Sequence, residues 1–566
     1  MPVEMMDRIA RVFIHILRWI APVLSFILLY RCIKPLTTFR REPEIWAWLC
    51  LGDDRKLPIT HWENVIGRNR HCDIVIDAPT VSRNHAVLTR YDDGSWSIAD
   101  ADSSGGIQVN GKEGSIFALT ATSRITIGGI DMTLQPITHK QEQKLAQLRT
   151  KASTFPASLA NVLLLTVLQT LSCMAFMFNT PEHTINALIG FGGIMAAQWL
   201  LLIFYAMIHR PSFEVETIAF YLCTLGMSAI CTVVPDETVK QIIAMAIGLM
   251  VFLFVGWSLR NLERAKKMRY LAAVAGIGFL LITLVFGEEI HGAKNWLHIA
   301  GFSLQPSEFS KVCFVFVGAS TMDRLMKKRN LIMFIAYSVL ICGCLALMND
   351  FGTALIFFCA FLVIAFLRSG SWGTIALACT ALVFAGVVAI KIAPHALQRF
   401  AIWRHIWEDP LDRGFQQTRA LMCMASGGLF GMGAGNGLMK HIFAADSDMV
   451  FATITEEWGL MIAVMAVFGI VALGLFVVRS SAVGRSSFYT IGGSTAASIL
   501  LVQVILNALG TVDIVPLTGV TFPFLSNGGS SMIGAWGLLA FVKAADTRQN
   551  ASFAVRLTKK GARDDE

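Results

Sequence analysis

Apolar runs of about 20 residues recur along most of this chain, and no other feature restricts its fold so severely. A helix needs about that length to cross the hydrocarbon of a bilayer, where each backbone amide must find its partner within the segment. Beyond residue 156 the runs fall at roughly 157–178, 186–208, 214–234, 239–259, 270–286, 307–323, 330–348, 351–368, 372–391, 450–478, 487–509 and 529–543, and another covers 12–30. Of 566 residues, 55% are hydrophobic and 15% charged, against about 25% charged in an ordinary soluble protein. A single soluble globule and a disordered chain are excluded. The pattern predicts a polytopic α-helical membrane protein of about 12–13 transmembrane helices.

The formal net charge of +8 does not call for nucleic acid, because Lys and Arg gather in alternate short connections. Arg210, the cluster Arg260 to Arg269, Arg368, Arg479 and the stretch beyond Lys543 mark those connections as cytoplasmic. The intervening connections, with the Gly292 segment and the long loop 392–449, face outward. The first run ends in Arg31 and Lys34 without a small-residue cleavage site and reads as a retained anchor. The 12 cysteines lie mostly within apolar runs as small hydrophobes, and no zinc spacing occurs.

Residues 44–137 differ in kind. Alternation replaces continuous apolarity in Trp46-Ala-Trp-Leu, Trp96-Ser-Ile, Ile107-Gln-Val and Ile125-Thr-Ile, and Asn110-Gly111 marks a hairpin. A cytoplasmic all-β sandwich inserted after the anchor is expected. The division is 1–43 anchor, 44–137 sandwich, 138–155 linker, 156–545 membrane domain and 546–566 tail. Gly67-Arg68, Ser82-Arg83-Asn84-His85 and Asn110-Gly111, in that context, resemble a forkhead-associated (FHA) domain. The resemblance implies a phosphothreonine site in which Arg68 and Ser82 grip the phosphate, with Arg83 and Ser104 beside them. Ser103-Ser104-Gly105-Gly106 lacks the family's Asn, which holds the peptide backbone. The competing role for Arg83 and His85 is to brace the loop.

Polar groups at membrane depth are costly and point to function. Four clusters stand on the outward side. Gly292-Ala-Lys294-Asn-Trp296 runs into Gln305-Pro306-Ser307-Glu308-Phe-Ser-Lys311, where Pro306 suits a helix start and Glu308 and Lys311 share a face. Asn349-Asp350-Phe-Gly352-Thr353 puts a carboxylate where two runs meet. The long loop carries Gly414-Phe-Gln416, a glycine run from Gly427 to Gly437, Asp446-Ser447-Asp448 and Glu456-Glu457. The fourth holds Pro516 to Gly519 and Ser526-Asn527-Gly528-Gly529-Ser530-Ser531. No strand precedes the glycine run, so it is no dinucleotide fingerprint.

In this order the clusters resemble the SEDS family (shape, elongation, division and sporulation; FtsW, RodA and SpoVE) over about 157–545. Asp448 falls on the family's essential aspartate in A-H-T-D-F-I-F-A, Glu308 and Lys311 on its Q-P-S-E-x-x-K pair, and Asp350 on the acid of P-D-x-G-T. The departures are Asp446-Ser447 for His-Thr, Asn349 for Pro, and Asn527 for Tyr in S-Y-G-G-S-S. The resemblance implies a peptidoglycan glycosyltransferase that polymerises lipid II into nascent glycan outside the cell membrane. It also implies a class B penicillin-binding protein as partner.

Making a β-1,4 bond from an α-linked sugar diphosphate lipid is a displacement with inversion. It needs a base for the acceptor hydroxyl and a positive group for the departing pyrophosphate. Asp448 is the expected base, with Glu308 and Lys311 as its catalytic companions. Asp350, Lys294, Gln416, Ser530 and Ser531 are the expected substrate contacts. Lys311, Lys294, Arg404, Arg413 or Arg419 can meet the pyrophosphate, as can a divalent cation, Mg or Mn, held by Asp448 with another acid. Capping of the following helix is a competing role for Asp448, and bracing of the bundle one for Glu308 and Lys311. The rival functions are a lipid-linked sugar transporter (flippase) and a noncatalytic division or sporulation scaffold. Acids at outer helix ends rather than at span centres favour outward chemistry over transport.

Overall fold

Continuous apolarity builds helices here, and alternation builds strands. In the computed structural model, the described residues are 3–38, 44–52, 55–70, 72–91, 94–138, 140–141, 152–290, 292–299, 301–322, 328–369, 372–392, 394–481, 486–548 and 551. The expected linker 138–155 and tail 546–566 lie largely outside them. Helix α1 (Val3–Thr37) leads into the sandwich. There follow α2 (Phe155–Asn179), α3 (Thr184–Met207), α4 (Glu214–Val233), α5 (Thr238–Leu259), α6 (Leu262–Phe286), α7 (Ser307–Met322), α8 (Lys328–Leu347), α9 (Phe351–Ser369) and α10 (Trp372–Ile392). The chain continues through α11 (Pro394–Ile402), α12 (Phe415–Gly427), α13 (Val450–Trp458), α14 (Leu460–Ser481), α15 (Ser487–Thr511) and α16 (Gly529–Ala544). Among the described residues, 8 helices are long and apolar enough to cross a membrane, and Leu331–Leu347 and Phe351–Leu367 are shorter apolar helices.

Helix α4 is the axis of the bundle, with 94% of its apolar window buried. Helix α16 packs along α5, α15 and α7. Its Trp536, fully buried, lies with ring centroids 5.1 Å from Phe220, 5.6 Å from Phe252 and 5.5 Å from Phe524. The expected single span 450–478 is two helices. Gly459 has φ +91°, and a Cβ there would stand 2.3 Å from the Leu429 carbonyl oxygen, so the chain turns where hydropathy continues.

Between α6 and α7 the chain makes an antiparallel three-stranded sheet of Glu288–Ile290, Ala293–Ile299 and Phe302–Leu304. The polar Gly292 segment of the sequence is thus a folded sheet.

In the sandwich a six-stranded sheet faces a five-stranded one. Trp46, Leu49, Ile66, Leu88, Ile98, Ile125 and Leu134 are buried between them. Asn110 at φ +53° and Gly111 at φ +76° turn the hairpin between Ile107–Val109 and Lys112–Gly114.

Candidate active site

The helix ends at Val233/Thr238, Phe286/Ser307, Leu347/Phe351 and Thr511/Gly529 enclose a cavity of about 1490 Å³. Asp448 lines it, half-buried, together with Asp350, Gln416, Asp446, Asn527, Ser530 and Ser531. The N-cap of α13 is Met449, one residue after Asp448. A tight turn delivers it: Ala444 has φ +57°, and its carbonyl accepts from Ser447 N at 3.2 Å and Met449 N at 3.0 Å.

Asp350 caps α9, Oδ1 accepting from Thr353 N at 3.0 Å. Its Oδ2 accepts from Asn295 Nδ2 at 3.1 Å and Gln305 Nε2 at 3.4 Å, which pins the small sheet to the rim. Ser530 Oγ accepts from Gln305 N at 2.8 Å, and Ser531 Oγ shares a hydrogen bond with Thr521 Oγ1 at 2.7 Å. Gln416 Nε2 reaches Phe443 O at 3.4 Å.

Three expected site residues stand elsewhere. Glu308 and Lys311 are 4% and 1% exposed, joined Nζ to Oε1 at 2.6 Å inside the bundle, and neither lines the cavity. A Cβ on Gly534 of α16 would stand 3.3 Å from Glu308 Oε2, so the pair abuts the helix that carries Ser530 and Ser531. In the structure they form an interior ion pair against α16, outside the cavity lining. Lys294 Nζ donates to the Leu284 carbonyl at 2.9 Å and the Val285 carbonyl at 3.5 Å, closing the end of α6. It too is absent from the lining, as are Arg404 and Arg419.

The cations that do line the cavity are Lys240, Arg399 and Arg413. Ile243 and Ile247 of α5 extend its wall and are 42% and 44% exposed, giving an apolar path to the bundle's outer surface. Mg or Mn would find the carboxylates of Asp446 and Asp448 here. Among the described residues no group of three His, Cys, Asp or Glu gathers to hold a metal, and no step below is routed through one.

At one end of the sandwich, Ser104 N donates to Ser82 Oγ at 3.0 Å and the two hydroxyls lie 2.9 Å apart. Arg68 N donates to Ser82 O at 3.0 Å, and the Arg68 and Arg83 side chains are exposed beside them. His85 is the brace: Nδ1 accepts from Ser82 N at 3.0 Å and Nε2 meets Gly106 O at 2.8 Å.

A family model described as "Cell cycle protein" (FtsW, RodA, SpoVE) matches residues 194–551, and the FHA domain model matches 64–128. The chain belongs to the FtsW/RodA/SpoVE family. Its sandwich is an FHA domain. Among relatives, the peptidoglycan glycosyltransferase RodA of Mycobacterium leprae is 30% identical over 328 residues, 54% of this chain and 68% of that protein. The probable peptidoglycan glycosyltransferase FtsW of Wigglesworthia glossinidia brevipalpis is 28% identical, covering 55% of this chain and 83% of its own length. A solved chain from a peptidoglycan synthase complex is 25% identical with a TM-score of 0.49, over 58% of this chain and 96% of that one.

For a member of the FtsW/RodA/SpoVE family, the sequence named the acids that reach the cavity and, beside them, Arg413, Gln416, Ser530 and Ser531, but not Lys240, Arg399 or Asn507. Lys240 is a single base on an outer connection that also carries Asp236 and Glu237, and its Nζ pairs with Glu237 Oε1 at 2.7 Å, so no charge run marks it. Asn507, in the last two turns of an apolar span, had no motif to mark it, yet its Nδ2 donates to the Asp448 carbonyl at 3.0 Å.

Proposed function

We propose that this protein is a peptidoglycan glycosyltransferase that polymerises lipid II on the outer face of the cytoplasmic membrane. The observation that carries the reading is the cavity itself. It joins a half-buried carboxylate, Asp448, to three cations and to an apolar wall open to the bundle surface. In the reaction, Asp448 takes the proton of the acceptor hydroxyl as that oxygen attacks the anomeric carbon of the donor. The carbon–oxygen bond to the lipid pyrophosphate breaks with inversion, and the pyrophosphate leaves as an anion met by Lys240, Arg399 or Arg413. The wall of Ile243 and Ile247 suits the polyprenyl chains, which hold both sugars as neighbours.

Sidedness follows from charge. Arg210, Arg260, Arg264, Arg479 and Lys543 stand on connections or helix ends opposite the cavity's, which supports a cytoplasmic FHA domain and an outward cavity. Arg68, Ser82, Arg83 and Ser104 make that domain a reader of a phosphothreonine protein, and a class B penicillin-binding protein is the partner that crosslinks the glycan. The test is purified protein given labelled lipid II: glycan ladders are expected from wild type and none from Asp448→Ala. Ladders that persist undiminished in the variant overturn the assignment.

A further inference from the structure

The strip that bears Asp448 is itself neither helix nor strand. Three consecutive carbonyls hold it. The carbonyl of Asp446 accepts from Asn527 N at 2.8 Å, that of Ser447 from Ser526 Oγ at 2.7 Å, and that of Asp448 from Asn507 Nδ2 at 3.0 Å. The donors are themselves fixed. Ser526 Oγ accepts from Phe522 N at 2.8 Å, and Asn507 Nδ2 also donates to Val520 O at 2.8 Å. The strip is therefore held by the 520–527 loop at its first two carbonyls and by the end of α15 at the third.

A side-chain bond closes one end of this rail: Asn527 Nδ2 donates to Asp446 Oδ2 at 2.8 Å. Positions 446 and 527 are 81 residues apart, so the bond joins two separate segments of the chain. A change at either position alone would leave a carboxylate without its amide or an amide without its acceptor.

We propose that Asn527 is a positioning residue for Asp448, and that Asp446 is its matched partner. Together they fix the register of 446–448 against the 520–527 loop and so aim the Asp448 carboxylate into the cavity. This deepens the reading of Asp448 as the base and rests on it.

The test is steady-state polymerisation of lipid II by the full-length protein carrying an exchanged pair. Asn527→Asp sets two carboxylates face to face, and kcat is expected to fall about 10- to 100-fold with KM within about two-fold, the signature of a misplaced group rather than a lost binding contact. Adding Asp446→Asn restores donor and acceptor in exchanged order, and most of kcat returns. Asn527→Ala and Asp446→Ala are each expected to lower kcat, with the double variant no slower than the slower single, as for one shared interaction. The proposal is overturned if Asn527→Asp keeps wild-type kcat, if the exchanged pair is as slow as Asn527→Asp, or if the two alanine losses multiply. Should Asn527→Ala unfold, the exchanged pair decides alone, because it restores the bond. Wild-type protein that makes no glycan removes the glycosyltransferase reading instead. Active wild type and inactive Asp448→Ala beside an unaffected Asn527→Asp remove only this inference.

Discussion

Gly519 stands where the carboxylate of Asp448 passes. Its φ is +68°, and a Cβ there would lie 3.3 Å from Asp448 Oδ2. Gly519→Ala adds about 1–2 kcal/mol of left-handed backbone strain and pushes on the carboxylate. Turnover of lipid II is expected to fall by about ten-fold or more while the protein still purifies folded, as kinetics beside a melting curve would show. The Glu308–Lys311 pair predicts the opposite pattern. Lys311→Met leaves an uncompensated buried carboxylate and is expected to cost about 3–5 kcal/mol, read as a fall in melting temperature. Adding Glu308→Leu recovers much of it, since an apolar pair of similar volume replaces a buried ion pair at little cost. Loss of activity without loss of stability in Lys311→Met would return the pair to the chemistry. Spacing of three along a helix made the pair legible in sequence, and Asp350 was legible as an acid between two runs. Whether such a pair faces a cavity or the interior depends on which neighbour covers it, and Gly534 lies more than 200 positions away.

Hydropathy reads side chains, not dihedral angles, and that is why α13 and α14 were expected as one span. Gly459 sits between them, and a Cβ added there would stand 2.3 Å from Leu429 O and 2.6 Å from Gly431 N. Gly459→Ala cannot be accommodated by a rotamer change, because the atoms it meets are backbone. Loss of folded protein is expected, measured as aggregation on size exclusion in detergent; a monodisperse, fully active variant would contradict the break. The small sheet of 288–304 escaped notice for a different reason: its strands are short, and their pairing depends on Asp350 and Met348, whose carbonyl accepts from Lys294 N at 2.9 Å. The sandwich was legible because strands such as Ala47–Leu51 and Arg124–Ile127 bury every second residue.

Across the whole molecule, α1 connects the two functional ends. At its middle Trp19 packs on Phe430 of the glycine-rich loop with centroids 4.1 Å apart, and near its end the Pro35 carbonyl accepts from Arg548 Nη1 at 3.4 Å. Arg548 is held in turn by Asp546, Nη2 to Oδ2 at 2.7 Å, and Lys543 by Glu216 at 3.2 Å, all buried. The FHA domain is thus continuous with a helix that touches the loop flanking α13. A phosphothreonine peptide is expected to bind the full chain more tightly than its unphosphorylated form, and Arg68→Ala to weaken it by about ten-fold or more through loss of a charge-assisted grip. Equal affinities for the two peptides, measured by calorimetry, would remove phospho-recognition.

The role of Asp448 as proton acceptor is reached most directly by Asp448→Asn, which keeps the shape of the side chain and removes its basicity. Lipid II affinity and single-turnover rate should be measured on the same preparation. Affinity within a few-fold of wild type, with the rate down by about 100- to 10,000-fold, is the predicted result. A rate close to wild type, or affinity and rate lost in equal measure, would contradict it.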